Sequence, residues 1–257
     1  MRHAPIDGGV RRNTVPEVSP SADPFADVAG LIGVPVAATH ARDAIDALLR
    51  HPAVRHAAPG LAARSAVRGA LASALLAGGS PNVVGDPVTQ GALRATGEAI
   101  RLAASWQQTP GRVLARLHLL AARDLSDLAD LGRPRPGVDR KRLDQLLRLG
   151  SGESSAPGVV VAALVHGELM AMNVFDPGGG VVARAAERIL LIARGVDTLG
   201  LSVPEVGHLA DSRAYEPLIQ AYASGLPDGV AAWVRHCCDA YARGAEDGLA
   251  HASGAPG

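Results

Sequence analysis

Aromatic residues are scarce, 3% of the chain, so large flat rings cannot fill the interior. Ala, Leu and Val must supply the core, and small side chains of that kind suit helices packed at short range. Lysine is almost absent: Lys141 is the only one. The arginine bias fits an Ala- and Arg-rich coding preference as well as any need for guanidinium. Neither sign of charge is in excess, the formal net charge being +0, which gives no whole-chain argument for nucleic acid or an anionic membrane as partner. Cysteine amounts to Cys237 and Cys238. Neighbouring cysteines rarely bridge each other and one pair makes no disulfide framework, so both are read as reduced, buried core residues rather than a redox or metal site. No apolar run approaches the roughly 20 residues of a membrane helix, and the polar, Pro-rich N-terminus has no apolar signal core. No membrane partner and a cytoplasmic location are therefore expected. Also missing are G-x-G-x-x-G after a strand, G-x-x-x-x-G-K-(S/T), G-x-S-x-G and any metal-type histidine pairing such as H-E-x-x-H. Rossmann, P-loop, hydrolase and metal-site readings have no motif behind them.

What is present is enough apolar material for a folded core: 257 residues, 47% hydrophobic and 19% charged, sufficient for one large domain or two small ones. Residues 1–25 carry Gly8-Gly9, Pro16, Pro20 and Pro24 with few apolar residues between them, which reads as a flexible tail. Residues 26–252 read as the helical domain and 253–257 as a second tail. A short extended piece is expected in the GVPVAATH stretch at 33–40. From 41 the apolar spacing is helical, with Ile45, Leu48 and Leu49 on one face. Further helices are expected over 59–77, stopped by Gly78-Gly79, and over 88–106. Another should run from the Thr109-Pro110 cap through 131. The remaining ones are expected over 139–149, 159–172, 181–196, 215–223 and 229–250. No strand alternation or internal repeat appears. The expected fold class is all-α, a bundle of about eight helices close-packed through Ala and Gly.

One stretch could carry chemistry: a helix, then Pro177-Gly178-Gly179-Gly180, then another helix. A glycine run entering a helix presents free N–H groups and the positive end of the helix dipole, which suits an anion. By itself the stretch reads more readily as a plain helix–helix connection, since Gly-rich connections are common. The wider segment Asn173-Val-Phe-Asp-Pro-Gly-Gly-Gly-Val-Val-Ala-Arg184 resembles the motif of the Fic (Fido-fold) family, His-Pro-Phe-x-(Asp/Glu)-Gly-Asn-Gly-Arg-x-x-Arg. Phe175, Gly178, Gly180 and Arg184 match in register. His166 and Leu169 stand where that family has a His and an apolar residue in the preceding helix. Downstream, Arg188-Ile-Leu-Leu-Ile-Ala resembles the following helix, and Tyr215 and Trp233 resemble the aromatics of the two C-terminal helices. Upstream, Arg116-Leu-His-Leu-Leu and Gly132-Arg-Pro-Arg resemble the leucine-histidine helix and basic turn. The resemblance, of actinobacterial type, spans about 65–250 and implies a Fic-like helical fold.

In that family the motif His is the general base that activates a protein hydroxyl for attack on the α-phosphate of ATP. Asn173 stands there, and a carboxamide is not basic near neutral pH; losing a general base costs on the order of 10²–10⁴ in rate. Pro177 replaces the Mg²⁺-holding carboxylate, Gly179 the motif Asn, and Val181 the first motif Arg. No catalytic residue is assigned; Asp176 and His166 are the nearest substitute bases. Gly178, Gly179, Gly180, Val181 and Arg184 are the candidate anion-binding set. The resemblance also places a degenerate inhibitory helix at Ser73, Ala77 and Gly78, with Ala77 in place of its Glu. Arg184 would then lack its usual partner and be a helix-surface or structural arginine, pair weakly with Glu187 on the next turn, or bind an anion. His118, His166, His208 and His236 are read as separate packed or surface histidines. Arg133, Arg135, Arg140, Lys141 and Arg142 read as a solvated turn or as a contact for an acidic partner or nucleotide. They have no interleaved aromatics for single-stranded nucleic acid. The expected function is a catalytically degenerate Fic-like binding or regulatory module with another protein as partner. ATP, another nucleotide or phosphate is a possible ligand, the Mg²⁺ site is lost, no other metal or nucleic acid is expected, and a homo-oligomer is left open. The alternatives are an active nucleotidyl- or phospho-transferase with a non-standard base, and a purely structural interaction domain.

Overall fold

The computed structural model describes residues 23–127 and 129–254; the rest of the expected tails lies outside the described residues. Twelve α-helices and one π-helical turn follow one another, with no strand among the described residues. They are α1 (Pro24–Ala29), α2 (Val34–Arg50), α3 (Pro52–Leu76), α4 (Pro87–Gly97), α5 (Ala99–Trp106), α6 (Pro110–Ala122) and α7 (Arg140–Arg148). The π-helical turn (Leu149–Glu153) comes next, then α8 (Gly158–Ala171), α9 (Gly179–Ala193), α10 (Pro204–Ala210), α11 (Ser212–Ala223) and α12 (Pro227–Ala252). Proline opens α1, α3, α4, α6, α10 and α12. The first helical N–H has no acceptor within the helix in any case, so proline costs nothing there and its fixed φ favours the turn.

The centre is the pair α8 and α9. Val159 to Gly167 in α8 and Val181 to Leu191 in α9 are buried on every side. The other helices surround this pair: α11, α12 and α1 lie on α8, while α5, α6, α4 and α3 lie on α9. The long α12 runs against α2 and α10 and buries Trp233, Cys237 and Tyr241. With so few rings available, close backbone approach fills the space. A Cβ on Gly91 of α4 would collide with the Ala121 carbonyl of α6, and one on Gly207 of α10 with the Ala240 carbonyl of α12.

The all-helical fold is as expected, and several boundaries differ. The 33–40 stretch is helix, not an extended piece. Gly33 takes a left-handed φ of 81° at the N-cap, Pro35 sits in the first turn, and Val34, Ala38, Ala41, Ile45 and Leu48 form one continuous buried stripe. The stripe outweighs the β preference of the valines. Asp23, Pro24 and Phe25, placed in the tail by sequence, start α1, where Phe25 is buried. Helix α3 begins at Pro52 instead of 59, directly after the extended residue His51. The 88–106 span divides at Glu98. Helix α6 stops at Ala122 instead of 131, short of Asp124, whose carboxylate pairs with Arg94 at 2.7 Å. Thr109 occupies the N-cap of α6, yet its hydroxyl donates back to the Ser105 carbonyl rather than capping. No described helix is long and apolar enough to cross a membrane.

Candidate functional site

The connection from α8 to α9 is held from two directions. Asn173 adopts a left-handed φ of 44°, a conformation asparagine tolerates better than most residues. Val174 and Phe175 are buried, and the Arg135 N–H donates to the Val174 carbonyl at 2.9 Å. His118 of α6 accepts the Gly132 N–H on Nδ1 at 3.0 Å and donates from Nε2 to the Pro177 carbonyl at 3.0 Å. Its ring lies 4.7 Å from that of Phe175. The leucine-histidine helix and the basic turn recognised in the sequence are thus the two supports of the loop. Gly178, with φ 86°, is the N-cap of α9. By their place in the first turn, the N–H groups of Gly179, Gly180 and Val181 have no acceptor within the helix.

Above this turn lies a cleft of about 790 Å³. Asn173, Asp176, the three glycines, Val181, Tyr215 and Glu216 line it, with Leu75, Leu76 and Ala77 from the end of α3 at its edge. Asn173 and Asp176 are both exposed, so the structure brings these two sequence candidates together at the glycine turn. His166 is fully buried and does not line the cleft; it reaches it only through Tyr215, whose hydroxyl lies 2.7 Å from His166 Nε2.

Arg184 is neither a surface residue nor paired with Glu187. It is 1% exposed. Its Nε donates to Ser73 Oγ at 2.9 Å, Nη2 to the Ser73 carbonyl at 2.8 Å, and Nη1 to Tyr215 Oη at 3.1 Å. The segment read as a degenerate inhibitory helix therefore does meet Arg184, through Ser73. Ala77 ends the helix, and Gly78, with φ 77°, turns the chain away. Of the basic stretch, Arg142 forms a two-pronged pair with Glu168 at 2.7 and 2.9 Å, and none of its members lines the cleft.

Apart from His118, the histidines read as separate come together. His166 (α8), Glu187 (α9), His208 (α10) and Cys237 (α12) meet in the core, each 0% exposed. Glu187 Oε2 lies 3.0 Å from His208 Nε2, and Oε1 accepts the Tyr241 hydroxyl at 2.7 Å. His208 Nδ1 is 3.1 Å from His236 Nε2, and Trp233 stacks on His208. Burial opposes ionisation of Glu187, yet His166 and His208 hold its carboxyl well below the usual range. Burial pushes His166 down and the Cys237 thiol and the Tyr215 hydroxyl up. Chain separation hid this cluster, but one signal was available. Arg184, Glu187 and Arg188 fall at helical spacing inside an otherwise apolar helix, and charges so placed must find partners in the core.

A Mg²⁺-bound nucleotide, which the motif resemblance implies, does not fit these residues. The only acceptor Pro177 offers is its carbonyl, and His118 takes it. Val181 supplies no charge, and three of the Arg184 donors are spent on Ser73 and Tyr215.

No protein-family model matches the chain, and no curated protein matches it in sequence. Its fold is similar to the crystal structure of a Fic family protein from Desulfovibrio desulfuricans G20. The TM-score is 0.67 and the identity 17%, over 86% of this chain and 85% of that one. The chain therefore has the all-helical fold of a Fic family protein.

Proposed function

We propose that this chain is a catalytically silent Fic-fold protein that serves as a binding or regulatory module, engaging a protein partner at the cleft. The glycine turn is the place where a phosphate, free or on a nucleotide, would rest. The observation that carries this reading is Arg184, which lines the cleft yet is buried and held by Ser73 and Tyr215. The one cation the motif retains serves to fasten α3 and α11 to α9. At the cleft mouth an amide, Asn173, occupies the base position and cannot take a proton from a hydroxyl near neutral pH. What the turn still offers an anion is its uncommitted N–H groups and the helix dipole, an interaction worth about 0.3–1 kcal/mol when exposed. Weak binding that needs no metal follows. Calorimetry with ATP, ADP and pyrophosphate should give weak heats that are unchanged by Mg²⁺ and fall with added salt. No heat with any of the three removes the ligand half and leaves a protein-only cleft. A Mg²⁺-dependent, tight signal would overturn the reading.

A second reading rests on Asp176, exposed at the cleft beside Asn173. It is a group-transfer enzyme with the carboxylate as base. Incubating the protein with labelled ATP and lysate separates the two: transfer lost in Asp176→Ala supports the enzyme, and no transfer supports the module.

A further inference from the structure

We propose that His166, Glu187, His208 and Cys237 form a buried zinc site that ties four helices together. Each residue offers one ligand atom, and these atoms all lie within 4.8 Å of one another. Two imidazoles, a carboxylate and a thiolate are a donor set that suits Zn²⁺. Ideal bonds are about 2.0–2.1 Å to nitrogen, 2.0–2.2 Å to oxygen and 2.3 Å to sulfur. Tetrahedron edges for such bonds run from roughly 3.3 to 3.7 Å, so the widest pairs need draw in by about an ångström while the close contacts to Glu187 spread slightly. Full burial of all four residues leaves no place for a water ligand, as in a closed structural site rather than a catalytic one.

A second observation points to an ion at the centre. His166 Nδ1 is buried and has no well-aligned hydrogen bond. It lies 2.9 Å from Glu187 Oε1, an ion-pair contact. Buried polar atoms are rarely left without an aligned partner, and a nitrogen and a carboxylate oxygen placed together in this way can both turn to one ion. The surrounding residues fix the ligands as such a site requires. Tyr215 Oη lies 2.7 Å from the other nitrogen of His166 and His236 Nε2 3.1 Å from the other nitrogen of His208, while Tyr241 donates to Glu187 at 2.7 Å. Charge balance agrees. Arg184 and Arg188 are turned to Ser73 and Tyr215 and to Glu205 and Gly200, so the Glu187 carboxylate has no guanidinium partner. A divalent ion with one carboxylate and one thiolate is neutral overall, which removes the cost of burying an isolated charge. Cys237, read from sequence as an inert core thiol, becomes a ligand; its neighbour Cys238 is outside the cluster.

The test is the metal content of the purified full-length chain, with Cys238→Ala as control for Cys237→Ala. One equivalent of zinc is expected in the wild type and in Cys238→Ala, and well under a tenth of that in Cys237→Ala. Cobalt substitution should give a thiolate-to-metal absorption band in the first two proteins only. A chelator should lower the wild-type Tm by several degrees, and zinc should restore it. If Cys237→Ala does not fold, the wild-type result still decides. A folded wild-type chain that takes up no zinc when supplied, with a Tm indifferent to zinc and chelator, would show the cluster to be a hydrogen-bonded network and nothing more. Equal loss of metal in both cysteine variants would place the site elsewhere.

Discussion

His118 joins α6, the turn at Gly132 and the cleft loop through one imidazole ring. Its two hydrogen bonds reach Gly132 N–H and the Pro177 carbonyl, so its removal leaves a donor and an acceptor without partners in a mostly buried place. His118→Ala should cost about 1–3 kcal/mol, read by urea unfolding near pH 7.5. Burial lowers the pKa of this ring from its ordinary 6.5, with the Pro177 carbonyl and Asp176 opposing. A group harder to protonate in the folded state contributes in full above 6.5 and loses that contribution as the pH falls through its lower folded value. The gap between wild type and His118→Ala should therefore narrow as the pH drops below about 6.5; a gap constant down to pH 5 would contradict this. At this scale the motif was legible in the sequence, because Gly178 and Phe175 act through their own backbone and burial. The partners of Arg184 were not. Ser73 lies 111 residues away, and no spacing rule links the two.

Among the helices, α1 is the one whose start the sequence reading assigned to a tail. Six residues have little helical stability alone, and what holds them is Asp23. Its carboxylate accepts the Ala26 N–H at 3.1 Å as N-cap, and the Ser154 hydroxyl, the Ser155 N–H and the Ser155 hydroxyl at 2.9, 2.8 and 3.0 Å. Burial alone would raise its pKa; the hydrogen bonds from Ser155, Ser154 and Ala26 prevail and bring it from 3.8 to about 2. A depressed carboxylate contributes stability above its unfolded value and loses it as pH falls toward the folded one. Asp23→Ala should cost about 1–2 kcal/mol at pH 7, and the difference should fade between pH 3.8 and 2. Thermal unfolding of both proteins across that range checks it, and a difference that persists at pH 2 would refute the assignment. The longer helices were legible because apolar spacing and an opening proline agree. The ends of α6 and the break at Glu98 were not, since both depend on what each segment packs against.

For the molecule as a whole, α12 closes the core. It covers α2 and α10, contacts α8 and α11, and brings Trp233 and Cys237 to the buried cluster. A chain ending at Leu226 should lose cooperative unfolding entirely, because the inward faces of α2 and α10 would be left in water. Circular dichroism on heating reads this directly; a sharp transition in that fragment would show that the remaining helices make a core by themselves.

The sequence alone determined that this chain is helical, where most of its helices lie and that a glycine turn opens α9. Those properties reside in periodicity, proline and glycine, all of which act within a few residues. It also determined that Asn173 and Pro177 stand at positions where the resembling motif has a base and a carboxylate. Only the tertiary structure decided that Arg184 faces Ser73 and Tyr215 rather than solvent, and that His166, Glu187, His208 and Cys237 share one buried centre. Each of those contacts joins residues from different helices, and which helix faces meet is set by the packing of the entire core.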